Sequence, residues 1–321
     1  MDSSAAILNA DDPQALPRAI ATLAAGGLVA LPTETVYGLA GISTLVGAVA
    51  AIYEAKRRPR TNPLISHVSG IAMAERYVRF DPVSRRLAQA FWPGPLTLIL
   101  PLLPGGISRG STNGGEFAAI RAPEGFAQRV IAGLDLPLAA PSANSSGRIS
   151  PTTAQHVAED LGAHIPLIID GGATRFGVES TVVQAGPEGV AILRPGVLTP
   201  EGIAGAAGVP VISATDRQTK LSPGTLESHY APRAAVRLNA RQAGPDEALL
   251  TFGPGDPPPG AGAVFNLSPS GDLAEAARNL FALMHRADAT GAATIAVVPI
   301  PDTGLGQAIN DRLRRAASPR S

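Results

Sequence analysis

The chain has 321 residues, 45% of them apolar and 16% charged, with 26 basic against 26 acidic side chains. A neutral chain of this length favours two domains with real cores and counts against a dedicated nucleic-acid-binding module. The absence of cysteine excludes disulfides, Cys-based zinc sites, iron–sulfur clusters and thiol catalysis.

In chain order, Leu16, Ile20 and Leu23 recur at i, i+4 and i+7, which predicts a helix over 13–25 that Gly26-Gly27 stops. The short apolar run 28–31 reads as a buried strand ending at Pro32. A second helix, about 45–56, aligns Leu45, Val49, Ile52 and Tyr53 and ends in Lys56, Arg57 and Arg58. Strands are expected at 64–68, 96–100, 117–121, 166–169 and 181–184, with helices at about 124–133 and 152–161 between them. Such mixing at short spacing predicts an α/β or α+β core. From 213 to 232 the pattern lapses into SATDRQTKLSPGTLESHYAP, polar and aperiodic, a linker long enough to suspect a task of its own. Strands at 248–252 and 263–266, a helix from Leu273 through Met284, a strand at 294–298 and a helix at about 305–316 then predict a small Rossmann-like second domain.

No apolar run approaches the ~18 residues of a membrane span. The start, MDSSAAILNADD, lacks a basic n-region, so a cytoplasmic protein without a signal peptide is the expectation. Charge divides evenly about residue 212, with 15 basic and 16 acidic residues before it and 11 and 10 after it. The usual motifs are missing. There is no Walker A loop and no nucleophile elbow, and Gly304-Leu-Gly306-Gln-Ala-Ile309 carries isoleucine where a dinucleotide loop needs a third small residue. The five histidines show no zinc-type spacing, and nothing points to a nicotinamide cofactor.

Other segments carry more. Pro32-Thr-Glu-Thr-Val-Tyr-Gly-Leu39 places hydroxyls after a buried strand, where open α/β sheets bind ligands, although threonines also cap ordinary loops. Lys56-Arg-Arg-Pro-Arg60 sets four cations in five residues. That suits a polyphosphate, or merely a solvated helix C-terminus. Lys56 is one of only two lysines, with Lys220. His67 lies in an apolar strand, where a satisfied core histidine is the commoner case. Arg121 follows in a strand-like segment, then PSANSSGRISPT at 141–152, rich in small hydroxyl residues and backbone donors suited to an anion. VESTVV and LRPG close the series at strand ends.

Together and in this order, PTETVYGL, the stretch K-R-R-P-x-x-N-P-L-I-x-H, FWPGPLTLIL, AIRAP, APSANSSGRISPT, VESTVV and LRPG resemble the YrdC-like family of L-threonylcarbamoyladenylate synthases. SPGTLESHYAP and GLGQAINDRLRRA match the linker and the last segment of its longer, two-domain form. The resemblance implies a twisted α/β sheet with helices around a large positive cavity, plus a small Rossmann-like C-terminal domain. It sets the expected division at 1–212 for the catalytic domain, 213–232 for a linker acting as a lid over the active site, and 233–321 for the C-terminal domain. It implies synthesis of L-threonylcarbamoyl-AMP and diphosphate from L-threonine, bicarbonate and ATP, for threonylcarbamoyladenosine beside the anticodon of tRNA. By motif position, Thr35, His67, Arg121, Ala140 and Ser180 should hold L-threonine. Arg58, Asn62, Phe117, Ser142, Ser150, Arg194 and Tyr230 should contact ATP or the adenylate, with Lys56 beside Arg58 on phosphate. Mg2+ is expected on the ATP phosphates, with no zinc or iron–sulfur centre. The expected partners are downstream tRNA threonylcarbamoyl-transfer proteins and, through the positive cavity, a weak RNA contact. Two other readings on the same fold are disfavoured. An RNA-holding scaffold conflicts with the neutral charge, and carbamoyl transfer as in hydrogenase maturation would bring acylphosphatase-like and cysteine-bearing zinc segments.

Overall fold

The computed structural model describes residues 4–215, 218 and 228–319, so most of the expected lid at 213–232 lies outside the described residues. The elements run β1 (Ala6–Asn9), α1 (Ala15–Ala24), β2 (Val29–Leu31), β3 (Gly38–Ile42), α2 (Val46–Ala55), β4 (Ile65–His67), α3 (Ile71–Ala74) and α4 (Pro82–Phe91). Next come β5 (Leu96–Pro101), β6 (Phe117–Arg121), α5 (Phe126–Leu134), β7 (Leu138–Ala139), α6 (Ala154–Leu161), β8 (Leu167–Asp170), β9 (Thr181–Gly186), β10 (Gly189–Arg194), α7 (Pro200–Ala207) and β11 (Val211–Ile212). The remainder comprises β12 (Ala235–Arg237), β13 (Glu247–Thr251), β14 (Ala263–Asn266), α8 (Leu273–Ala289), β15 (Thr294–Val297) and α9 (Gly306–Ala317).

Eleven strands form one mixed sheet in the order β1-β8-β2-β3-β7-β4-β6-β5-β9-β10-β11, and four parallel strands form a second in the order β12-β15-β13-β14. The first sheet ends at Ile212 and the second begins at Ala235. No described helix is long and apolar enough to cross a membrane.

Helix α1 buries a face shifted from the expected one, and α2 buries three of its four expected residues. Helix α1 turns Ala15, Ala19 and Leu23 inward, leaving Leu16 and Ile20 half-buried at the margin. Small residues let the helix lie close to the sheet, and the larger side chains pack sideways, Ile20 against Gly133 of α5. In α2 the buried set is Ala48, Val49, Ile52 and Tyr53, whereas Leu45 is the extended N-cap and 43% exposed. The PTETVYGL segment also differs from a strand-to-helix loop. Its residues 32–37 join β2 to an antiparallel partner, β3. Thr33 ties that hairpin, its Oγ1 donating to the Val36 carbonyl at 2.6 Å, while the Tyr37 hydroxyl donates to the Gly172 carbonyl at 2.7 Å.

The two sheets do not have separate cores throughout. One apolar cluster joins Val36, Ile149 and Val178 of the first unit to Leu280, Phe281 and Leu313 of the second, with Tyr230 among them.

Candidate active site

Strand pairing builds the site floor. His67 at the end of β4 stands beside Arg121 of β6, which stands beside Thr97 of β5. Thr97 of β5 pairs in turn with Val182 of β9, and Ser180, two residues before Val182 and so on the same face, reaches Thr97 diagonally, their hydroxyl oxygens 2.8 Å apart. Four sequence-distant polar side chains thus reach one edge of adjacent strands because the register puts them there. Arg194, at the end of β10, donates from Nη2 to the Ser180 carbonyl at 2.9 Å and to its hydroxyl at 3.1 Å.

Above this floor lies a cavity lined by eight of the thirteen expected residues: Arg58, His67, Arg121, Ala140, Ser142, Ser180, Arg194 and Tyr230. The other five stand outside the lining. Lys56 is 1% exposed, and its ammonium donates to the carbonyls of Ser142 and Asn144. It fastens the 142–144 turn from behind. Thr35 is buried one residue from the lining Val36, its hydroxyl 2.9 Å from that of Thr33. Asn62 offers its carbonyl to Arg58 Nε at 3.2 Å, and the Ser150 hydroxyl donates to Glu179. Phe117 opens β6 opposite Pro101 and packs beside Ile65, Ile99 and Leu193.

Charge is arranged with economy. Arg121 meets Glu34 at 2.7 Å, both side chains about 5% exposed or less. The contact is Coulombic rather than hydrogen-bonded, since Glu34 Oε1 and Arg121 Nη2 lack hydrogen-bond partners. Arg121 Nε donates to the Gly94 carbonyl at 3.2 Å, which leaves the Nη1 donors for a ligand. Burial lowers the Arg58 pKa to about 10, still charged at neutral pH. Burial first, then the Arg121 charge, pushes His67 down to about 3, so its ring is neutral. Burial also drives Lys56 and His229 well below their ordinary values. The cavity therefore presents the guanidiniums of Arg58 and Arg194, which donate to the Pro63 and Ser180 carbonyls, while its two acidic neighbours, Glu34 and Glu179, are each matched by an arginine.

Sequence reasoning missed Glu34, Glu179, His229 and Arg312. Glu34 and Glu179 lie inside quoted motifs, yet nothing local marks them, because their arginine partners are 87 and 133 residues away. Tyr230 adopts φ 62°, a left-handed conformation uncommon for a bulky side chain and frequent at functional sites.

A family model described as telomere recombination, covering the Sua5, YciO and YrdC proteins, matches residues 21–196. A second, described as the threonylcarbamoyl-AMP synthase C-terminal domain, matches 197–318. A threonylcarbamoyl-AMP synthase of Bacillus subtilis is 39% identical across 98% of this chain and 95% of its own length. The crystal structure of Pyrococcus abyssi Sua5 complexed with L-threonine superposes with a TM-score of 0.86 at 37% identity, covering 97% of both chains. A variant of the Pyrococcus protein with a consecutive histidine and tyrosine changed to alanine matches equally well, at a TM-score of 0.86, 35% identity and coverage of 98% and 96%.

Proposed function

The chain belongs to the threonylcarbamoyl-AMP synthase family, and from that premise we propose which of its residues hold each substrate. The reaction joins L-threonine, bicarbonate and ATP into threonylcarbamoyl-AMP and diphosphate, the activated group for tRNA modification beside the anticodon. The observation that carries the assignment is the row His67–Arg121–Thr97–Ser180 beneath two buried guanidiniums, Arg58 and Arg194, in one cavity.

Arg121 takes the threonine carboxylate on its free donors, as a guanidinium fork is shaped to do. Neutral His67 and the Thr97–Ser180 hydroxyl pair read the polar end of the amino acid, with the Ala140 backbone beside them. Arg58 and Arg194 take the nucleotide phosphates, and Ser142 and Tyr230 complete that wall. Threonine amine and bicarbonate condense to a carbamate with loss of water. A carbamate oxygen then attacks the α-phosphorus of ATP, and diphosphate leaves. This chemistry asks for positioning and charge neutralisation rather than a protein nucleophile. Lys56 serves as a positioning residue for Ser142, not as a phosphate ligand.

Magnesium enters with ATP, as part of the substrate. Among the described residues no cluster of three His, Asp or Glu side chains is placed to hold a metal ion, and Glu34 and Glu179 are both paired. Such a lining fits a cation that keeps its waters and is held through phosphate.

The cavity encloses only about 50 Å³, against the roughly 300 Å³ or more of a ligand pocket. His229 and Tyr230 form part of its wall, so admitting ATP requires that segment to withdraw. Closure behind the substrates would shield the carbamate from water, and reopening would release the adenylate to a tRNA-modifying transfer protein.

Substrate choice tests the assignment. A site that hydrogen-bonds a hydroxyl rejects analogues lacking it more strongly than those short of a methyl group. Serine should be a weak but real substrate and valine essentially none, scored by mass detection of the carbamoyl adenylates. Equal turnover of valine and threonine would remove the hydroxyl-reading role.

A further inference from the structure

The second domain sends one side chain into the wall of the site. Arg312 of α9 is 0% exposed, the largest fully buried side chain among the described residues. Its Nε donates to Glu179 Oε2 at 2.9 Å, and its Nη1 donates to the Pro195 carbonyl at 2.7 Å and to Asp311 at 2.8 Å. Its guanidinium carbon lies 5.4 Å from the centre of the Tyr230 ring. Glu179 lines the substrate cavity and also accepts the Ser150 hydroxyl. A buried arginine in a position that only packed would be replaced at little loss by an apolar side chain, but this one is aimed at a carboxylate that lines the cavity.

We propose that Arg312 is a positioning residue for nucleotide binding, through which the C-terminal domain neutralises Glu179 and fixes Tyr230 in the active-site wall. The proposal rests on Arg58 and Arg194 holding the phosphates. Unpaired, the Glu179 carboxylate would face the same anionic substrate across a low-dielectric cavity and oppose those two cations. The Tyr230 hydroxyl and Arg312 Nη2 are both buried without hydrogen-bond partners. Of the two, Tyr230 lines the cavity, its hydroxyl ready for an acceptor that arrives with the ligand. The domain thus completes the site rather than merely tethering the linker. This gives a role to the GLGQAINDRLRRA segment, which the reaction scheme leaves without one.

The experiment uses the full chain and measures ATP and threonine KM, direct ATP binding and melting temperature. Arg312→Gln should raise the ATP KM at least tenfold while moving the threonine KM less than threefold. Arg312→Lys should recover most of that loss. The decisive variant is Arg312→Gln combined with Glu179→Gln, which removes both charges. It should regain most of the ATP binding that Arg312→Gln alone loses, because no uncompensated carboxylate remains, and the residual deficit is the lost contact with Tyr230. If Arg312→Gln alone does not fold, the double variant still decides, since Glu179 is then uncharged and Asp311 keeps its pair with Arg315. Unchanged ATP KM in Arg312→Gln, or equal loss of ATP binding in the single and double variants, would overturn the proposal. Arg58→Ala in the same assay separates the two readings. If it leaves ATP binding unchanged, the phosphate assignment fails whatever Arg312 does.

Discussion

Arg58 and Lys56 are two residues apart and do different work. Arg58 meets the cavity and is otherwise held by the Asn62 and Pro63 carbonyls, whereas Lys56 satisfies two buried carbonyls behind it. Arg58→Ala should weaken ATP binding at least tenfold with little change in melting temperature. Lys56→Ala strands two buried acceptors, at about 1–3 kcal/mol each, so it should lower melting temperature and ATP affinity together. Titration and thermal melts of both variants check this, and a Lys56→Ala chain of parental stability would contradict the anchoring role. The cationic run marked this region plainly in the sequence, but not which cation faces the ligand. That depends on helix phase at the end of α2 and on a turn 86 residues further on. His67 and Arg121 were legible as motif members. Their adjacency is a matter of strand register, which no single segment displays.

At the level of elements, four histidines are held neutral where secondary structures pack. Burial first lowers His67 to about 3 and His156 to about 4, and likewise depresses His229 and His285. His156 of α6 and His285 of α8 stack with ring centres 4.0 Å apart across the two units. Each is protonated in the unfolded chain below about pH 6.5 yet neutral when folded, so the unfolded state binds more protons and acid lowers stability. Urea midpoints should hold near pH 7.5 and fall progressively from about pH 6.5 toward 4. Flat midpoints down to pH 4.5 would show that these rings are not buried neutral. A second element-scale test lies at Gly177, φ 71°, where an added Cβ would stand 2.3 Å from the Arg278 carbonyl oxygen of α8. Gly177→Ala should lower the melting temperature and impair synthesis, because backbone on both sides must separate; a variant indistinguishable from the parent would contradict the tight docking. Apolar periodicity found most long elements. It missed strands such as β3, all buried glycine and apolar residues behind a hydroxyl-rich loop, and it placed the inward face of α1 one residue off because alanine gives a weak signal.

Over the whole molecule, the parent fold and its division into two sheets were readable from chain order, and the family from motifs that cover nearly all of it. What composition concealed is that the units share one apolar cluster and one buried Arg312–Glu179 pair. A chain ending near residue 212 should therefore fold with a lowered melting temperature and synthesise poorly, having lost Tyr230 from the wall and the charge opposite Glu179. Tyr230→Ala in the full chain should reproduce much of the kinetic loss while leaving both sheets folded; full activity of either would contradict a role for that segment. The most direct measurement incubates the full chain with L-threonine, bicarbonate, ATP and magnesium and detects the product by mass, alongside Arg121→Ala and Arg58→Ala. Threonylcarbamoyl-AMP and diphosphate should form in equal amounts with the parent chain, the threonine KM rising in the first variant and the ATP KM in the second. Absence of the adenylate with the parent chain, or parental kinetics in both variants, would contradict synthesis in this cavity.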